Sequence, residues 1–114
     1  MPRPLQFGET APYAVKEGAA RLGERLRLAR KRRRLTLREL AAKAGINYDT
    51  ARAAEAGNLQ TGLGAYLVML WAMGLESEIG AFVDPDRDET GKQLEISRQP
   101  RRVGRGREKH DGDF

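Results

Sequence analysis

LTLRELAAKAGINYDTARAAEAG, the stretch from Leu35 to Gly57, reads as two short helices joined by a tight turn. Thr36 stands where its hydroxyl can cap a helix, and Glu39, three residues on, can reach back to the cap's own amide; together they form a capping box. Leu37, Leu40, Ala41 and Ala44 then recur at helical spacing, and the small Ala41 and Ala44 allow a following helix to cross at close range. Gly45 closes the turn, because a helix that stops and changes direction within three residues needs a left-handed backbone position there. Ile46 plugs the angle between the helices and Asn47 caps the second, predicted over Tyr48 to Ala56 with Ala51 and Ala54 inward and Tyr48, Asp49 and Arg52 outward. Gly57 and Asn58 end it. An ordinary helical hairpin uses the same chemistry, so this stretch by itself leaves two readings open, a hairpin and a DNA-binding helix-turn-helix.

The flanking charge favours the second. The chain of 114 residues carries a net charge of +5, distributed unevenly. Arg21, Arg25, Arg27, Arg30, Lys31, Arg32, Arg33 and Arg34 crowd one predicted helix and its end, opposed by Glu24 alone. Residues 76 to 89 are the reverse, with Glu76, Glu78, Asp84, Asp86, Asp88 and Glu89 against Arg87. A basic run can be a solvated helix face, but ahead of such a two-helix unit it suits phosphate contacts. Those contacts position a protein and make its binding salt-dependent without reading sequence.

Residues 22 to 75, LGERLRLARKRRRLTLRELAAKAGINYDTARAAEAG followed by a hydrophobic helix ending in Met73, Gly74 and Leu75, resemble the Xre-type, lambda-repressor-like helix-turn-helix domain. The resemblance implies an all-α, five-helix domain, here with flexible N- and C-terminal tails. It implies an ion pair between Arg30 on the first helix and Glu55 on the recognition helix. Asn47, Tyr48, Asp49 and Arg52 would lie at or near the major groove, and Thr36 and Leu37 near the duplex backbone. Arg38 and the run Lys31, Arg32, Arg33 and Arg34 complete the expected DNA-binding set. The chain departs from the family where Leu37 replaces the usual glutamine, Ala53 a polar base-contacting side chain, and Arg34 a glycine. Asn47 and Arg52 are the obvious base donors, and bidentate pairs are each worth about 1–3 kcal/mol of discrimination. Modest sequence specificity per monomer is therefore expected.

Composition limits the alternatives. The chain has no cysteine, which removes disulfides and thiolate metal sites and points to a cytoplasmic compartment. No stretch is apolar enough to cross a membrane, and no charged-then-apolar signal segment opens the sequence. An enzyme is not expected: His110 is the one histidine and lies in the tail, and no serine sits in a nucleophile-elbow context. Asp84, Asp86, Asp88 and Glu95 fall at the carboxylate offsets of a calcium loop, but Glu89 takes the sixth position, which needs glycine, and Gly91 comes two residues later. An Asp-rich helix start is the expected reading, with neither metal nor cofactor.

The chain divides into four parts. Residues 1–14 contain three prolines and no helical or strand period, and are expected to form a flexible arm. A helical body runs over 15–82. An acidic segment over 83–99 begins with Asp84 as cap and Pro85 at the first helical position, and its QLEISR, Gln93 to Arg98, suits helix or strand. Residues 100–114, with Gly104 and Gly106 between arginines, read as a basic disordered tail.

The fourth helix of the body, capped by Thr61, presents Leu63, Tyr66, Leu67, Met69, Leu70 and Met73 to the core. Gly64, Val68, Trp71 and Leu75 form a further face, which is expected to meet a second chain with Trp71 as its anchor. A homodimer would set two recognition helices about 34 Å apart on a palindromic operator. A narrower resemblance extends over YDTARAAEAG, LGAYLVMLWAMGLESEIGAF and DPDRDETGKQLE, which are similar to HipB-like antitoxins. That resemblance implies a dimer that represses its own operon and holds a HipA-like kinase toxin inactive through its acidic segment or tails. A stand-alone repressor, and a protein-interaction module without base readout, are the other readings.

Overall fold

A computed structural model describes residues 10–99, and every regular element within that span is helical. Most of the expected arm and all of the expected basic tail, with His110, lie outside the described residues. The chain forms two units, one ending at Phe82 and the other starting at Val83.

In the first unit, α1 (Tyr13–Arg32) starts behind Pro12, two residues before the expected Val15. Pro12 offers its carbonyl to the amides of Val15 at 3.0 Å and Lys16 at 3.2 Å. Arg30, Lys31 and Arg32 occupy the last turn, where the helix dipole favours positive charge. At the head of α2 (Leu37–Ala44) the capping box is formed: the Glu39 amide donates to Thr36 Oγ1 at 3.0 Å, and the Thr36 amide donates to Glu39 Oε1 at 2.8 Å. Gly45 turns the chain at φ 73°. Asn47 Oδ1 accepts from the Asp49 amide at 2.7 Å and so caps α3 (Tyr48–Glu55), which ends one residue before the expected Ala56.

The core lies where α1 to α3 meet α4 (Leu63–Ala72) and the residues just after it. Leu40 and Met69 are its largest fully enclosed side chains, and burial of such a side chain contributes about 1.5–3 kcal/mol. Ala51 and Ala54 face inward from α3 and are fully buried. Their methyl-sized side chains let α3 lie close to its neighbours, and Ala41 and Ala44, buried on α2, do the same from the other side of the turn, as their small size predicts. Ile46 and Leu37 pack on the core edge.

The start of α4 differs from expectation. Gly62, not Thr61, holds the cap position, and no side chain caps this helix. The Tyr66 phenol is pushed above its ordinary pKa by burial, and the Thr61 hydroxyl opposes that shift. Leu63, expected in the core, is exposed in the first turn, and Leu67 is half-buried. A short α5 (Ser77–Gly80) follows.

Arg34 lies in the left-handed region at φ 56°, the position where the resemblance puts glycine. A side chain there costs about 1–2 kcal/mol, partly offset by the greater freedom that glycine loses on folding. Arg34→Gly is therefore expected to raise stability by about 1 kcal/mol in urea denaturation. An unchanged or lower midpoint would show that the turn tolerates its arginine.

In the second unit, Asp84 caps as expected, accepting from the Asp86 amide at 2.9 Å, but what it caps is a single 3₁₀ turn, Pro85–Arg87. A second cap, Asp88, accepts from the Gly91 amide at 2.9 Å and starts α6 (Glu89–Ser97). The expected helix start at Pro85 is thus corrected to Glu89, because two capping aspartates four residues apart compete for the same chain. Residues of QLEISR through Ser97 are helical. Among the described residues no cluster of His, Cys, Asp or Glu suits a metal ion, and no helix is long and apolar enough to cross a membrane.

Candidate nucleic-acid interface

Arg30 organises the basic end of the first unit. Its Nε donates to Glu55 Oε2 at 2.8 Å and its Nη2 to Glu55 Oε1 at 3.0 Å, a bidentate pair between α1 and α3. Nη1 donates to the Leu35 carbonyl at 2.9 Å, while the Leu35 amide donates to the Arg30 carbonyl at 3.3 Å. The Arg30 guanidinium thus holds α3 and the Leu35 carbonyl, while the Arg30 backbone carbonyl holds the Leu35 amide, so one residue fixes both α3 and the lead into the α2 cap. The pair is enclosed, with 11% and 7% of the two side chains exposed. The hydrogen bond with Glu55 outweighs desolvation and raises the Arg30 pKa further above its ordinary value. The pair implied by the resemblance is therefore present, and the Leu35 bond adds a third anchor.

The basic run after Arg30 divides in two. Arg33 donates from Nε to the Met73 carbonyl and from Nη1 to the Ala29 carbonyl, both at 2.9 Å. It closes the C-terminal end of α4, whose last turn contains no basic residue of its own. Its expected phosphate role competes with that bond. Lys31, Arg32 and Arg34 are exposed, and their side chains have no hydrogen bond or ion pair among the described residues. They remain available to an anion.

The outward residues of α2 and α3 are arranged in pairs. The Arg38 guanidinium lies over the Tyr48 ring, 4.2 Å from its centroid, and bridges the first turns of the two helices. Arg52 and Asp49 approach to 3.6 Å one turn apart on α3, both largely exposed. Asn47, expected as a base donor, has its carbonyl oxygen engaged by the Asp49 amide. A bidentate contact to adenine uses that oxygen as well as the amide nitrogen, so adenine would have to share an oxygen that already accepts from the Asp49 amide. Thr36 accepts from the Glu39 amide within its capping box and keeps its hydroxyl proton for an outside acceptor.

The four residues of the expected dimer face are not equivalent. Gly64 is exposed and Trp71 is 59% exposed, but Val68 and Leu75 are half-buried and pack against the core of their own chain. Trp71 and Gly64 are the parts of that face left to a partner.

Sequence reading missed the role of Arg33, whose acceptor lies 40 positions away and leaves no local signal. It also missed Gly23. A glycine inside a helix costs about 1 kcal/mol relative to alanine, which was the available signal. Here a Cβ would sit 2.9 Å from the Ala54 carbonyl oxygen and 2.8 Å from the Glu55 carbonyl carbon. The absent side chain is what lets α1 and α3 approach closely enough for the Arg30–Glu55 pair. Compared with family models, with curated proteins and with solved structures, the chain has no match.

Proposed function

We propose that α2 and α3 form an Xre-type, lambda-repressor-like helix-turn-helix that binds double-stranded DNA, and that a homodimer of this chain represses transcription by binding a palindromic operator. The observation that carries the reading is the Arg30 anchor, which fixes α3 and the lead into α2 in one geometry. Around that geometry Lys31, Arg32, Arg34, Arg38 and Arg52 are exposed, enough cationic groups to contact several phosphates. The dimer is supported by α4, which has no charged residue from Leu63 to Ala72 and leaves Trp71 outward. On the narrower resemblance, the repressor is the HipB-like antitoxin of a cytoplasmic pair, with a HipA-like kinase as its second partner.

The test is fluorescence anisotropy of the full chain on its own promoter and on scrambled DNA, with the oligomer's mass measured in parallel. A dimer is expected, with preference for the promoter and an affinity whose log–log salt slope is about −0.9 per phosphate contacted. Equal weak binding to both fragments would overturn the repressor and leave a protein-interaction module. Trp71→Asp is expected to give a monomer in sedimentation and to lower promoter affinity by about 10²-fold or more, since two linked half-sites bind far more tightly than one. A Trp71→Asp protein that stayed dimeric would remove α4 from the interface.

A further inference from the structure

We propose that Arg38, held on the ring of Tyr48, is the residue that determines base specificity, and that it reads a guanine through O6 and N7 in the major groove. The proposal rests on the DNA-binding reading above and says which side chain supplies its sequence preference.

Each alternative candidate is either partly engaged or undirected. Asn47 uses its carbonyl oxygen to cap α3. Arg52 faces Asp49 across one helical turn; to approach a base it must leave that carboxylate or bring it toward the phosphates. Arg33 holds the Met73 and Ala29 carbonyls. Lys31, Arg32 and Arg34 follow or end α1 and have no surrounding group to fix their direction. Arg38 differs from all of these. Its guanidinium is exposed, has no hydrogen bond or ion pair among the described residues, and is nonetheless held in place by the ring face.

Stacking matters because of what it leaves open. A guanidinium lying over an aromatic ring uses its π face for the contact and keeps its in-plane N–H groups directed outward. Two of those N–H groups match the paired acceptors O6 and N7 of guanine, and no other base edge in the major groove presents two acceptors in that arrangement. The ring also lowers the freedom that a long side chain must lose on binding. Tyr48 is thus a positioning residue, set at the first position of α3 by the Asn47 cap, and Arg38 reaches it from α2.

The experiment selects from a pool of duplexes randomised over about two helical turns with the full chain, then measures affinity and salt slope for the enriched duplex and for single-base variants. Wild type is expected to enrich one fixed guanine per half-site. Arg38→Ala is expected to lose about 5- to 150-fold on the guanine duplex, little on duplexes already changed at that base, and to keep the salt slope. Tyr48→Phe keeps the ring and should keep the preference; Tyr48→Ala should weaken it with no change in charge. If Arg38→Ala weakens every sequence equally and the salt slope falls by about one, Arg38 is a phosphate contact and the proposal is overturned while DNA binding stands. Binding with no enriched guanine also overturns it. If wild type binds no duplex, the DNA-binding reading itself fails.

Discussion

Glu55→Ala is expected to lower the unfolding free energy by about 3–5 kcal/mol in urea denaturation, the range found when one partner of a buried ion pair is removed. The glutamate accepts both the Nε and Nη2 hydrogens of Arg30. Without it a guanidinium that cannot deprotonate stays enclosed, with the Leu35 carbonyl as its one remaining hydrogen-bond partner among the described residues. For a domain whose whole stability is about 5–15 kcal/mol, that loss takes much of the margin. The double variant Arg30→Met, Glu55→Leu should recover most of it, because replacing both charges by apolar groups of similar volume is often near neutral. A loss under about 1 kcal/mol for Glu55→Ala would place the pair in the class of solvent-screened surface bridges. The Arg30 pKa is raised, so its contribution is fully present below the unfolded guanidinium value and is lost only as pH rises through the still higher folded one. No slope between acid and neutral pH is expected from this group.

Gly23→Ala is expected to destabilise by about 1–3 kcal/mol, although alanine is the better helix former by about 1 kcal/mol. The added methyl meets backbone atoms of Ala54 and Glu55, which cannot swing aside as a side-chain end would. Gly23 and Arg30 are seven residues apart and both buried on one face of α1, so widening the crossing at Gly23 also strains the ion pair. Gly18 supplies the contrast: it lies in the same helix with nothing within 4 Å of an added Cβ, and Gly18→Ala should be neutral or stabilising. At about 4–8 °C per kcal/mol, thermal unfolding separates the two variants. A Gly23→Ala protein melting with or above wild type would show that α1 can shift without cost.

The elements legible in the sequence are those whose determinants lie within a few residues. Thr36 with Glu39, Gly45 and Asn47 each act on amides or a backbone angle close by, and the buried faces of Ala51 and Ala54 follow from helical spacing. Thr61 does not cap as its residue type suggests, because the helix starts one residue later, behind Gly62, and the Thr61 hydroxyl interacts with Tyr66 in that same helix. Asp84 was read correctly as a cap, but the helix that follows starts at the next aspartate with the same chemistry. At the candidate site, charge and outward direction were legible, whereas the pairing of groups was not, apart from the Arg30–Glu55 pair that the resemblance implied. The Arg33–Met73 bond and the Arg38–Tyr48 stack join separate elements, and nothing local in the chain specifies which cation meets which acceptor or ring.

The run from Arg30 to Arg34 therefore contains two populations, one bonded into the fold and one not. If the chain binds DNA as proposed and a duplicate of its gene drifted away from that role, Lys31, Arg32 and Arg34 could change with little effect on folding, Arg34 even with a gain. Arg30 and Arg33 could not, because one ties α1 to α3 and the other closes α4. A lineage that had abandoned nucleic acid would keep arginine at those two positions, three residues apart, and lose the cations between and after them. Retained arginine at positions 30 and 33 would then record ancestry of the fold, and only the other three would bear on the proposed binding.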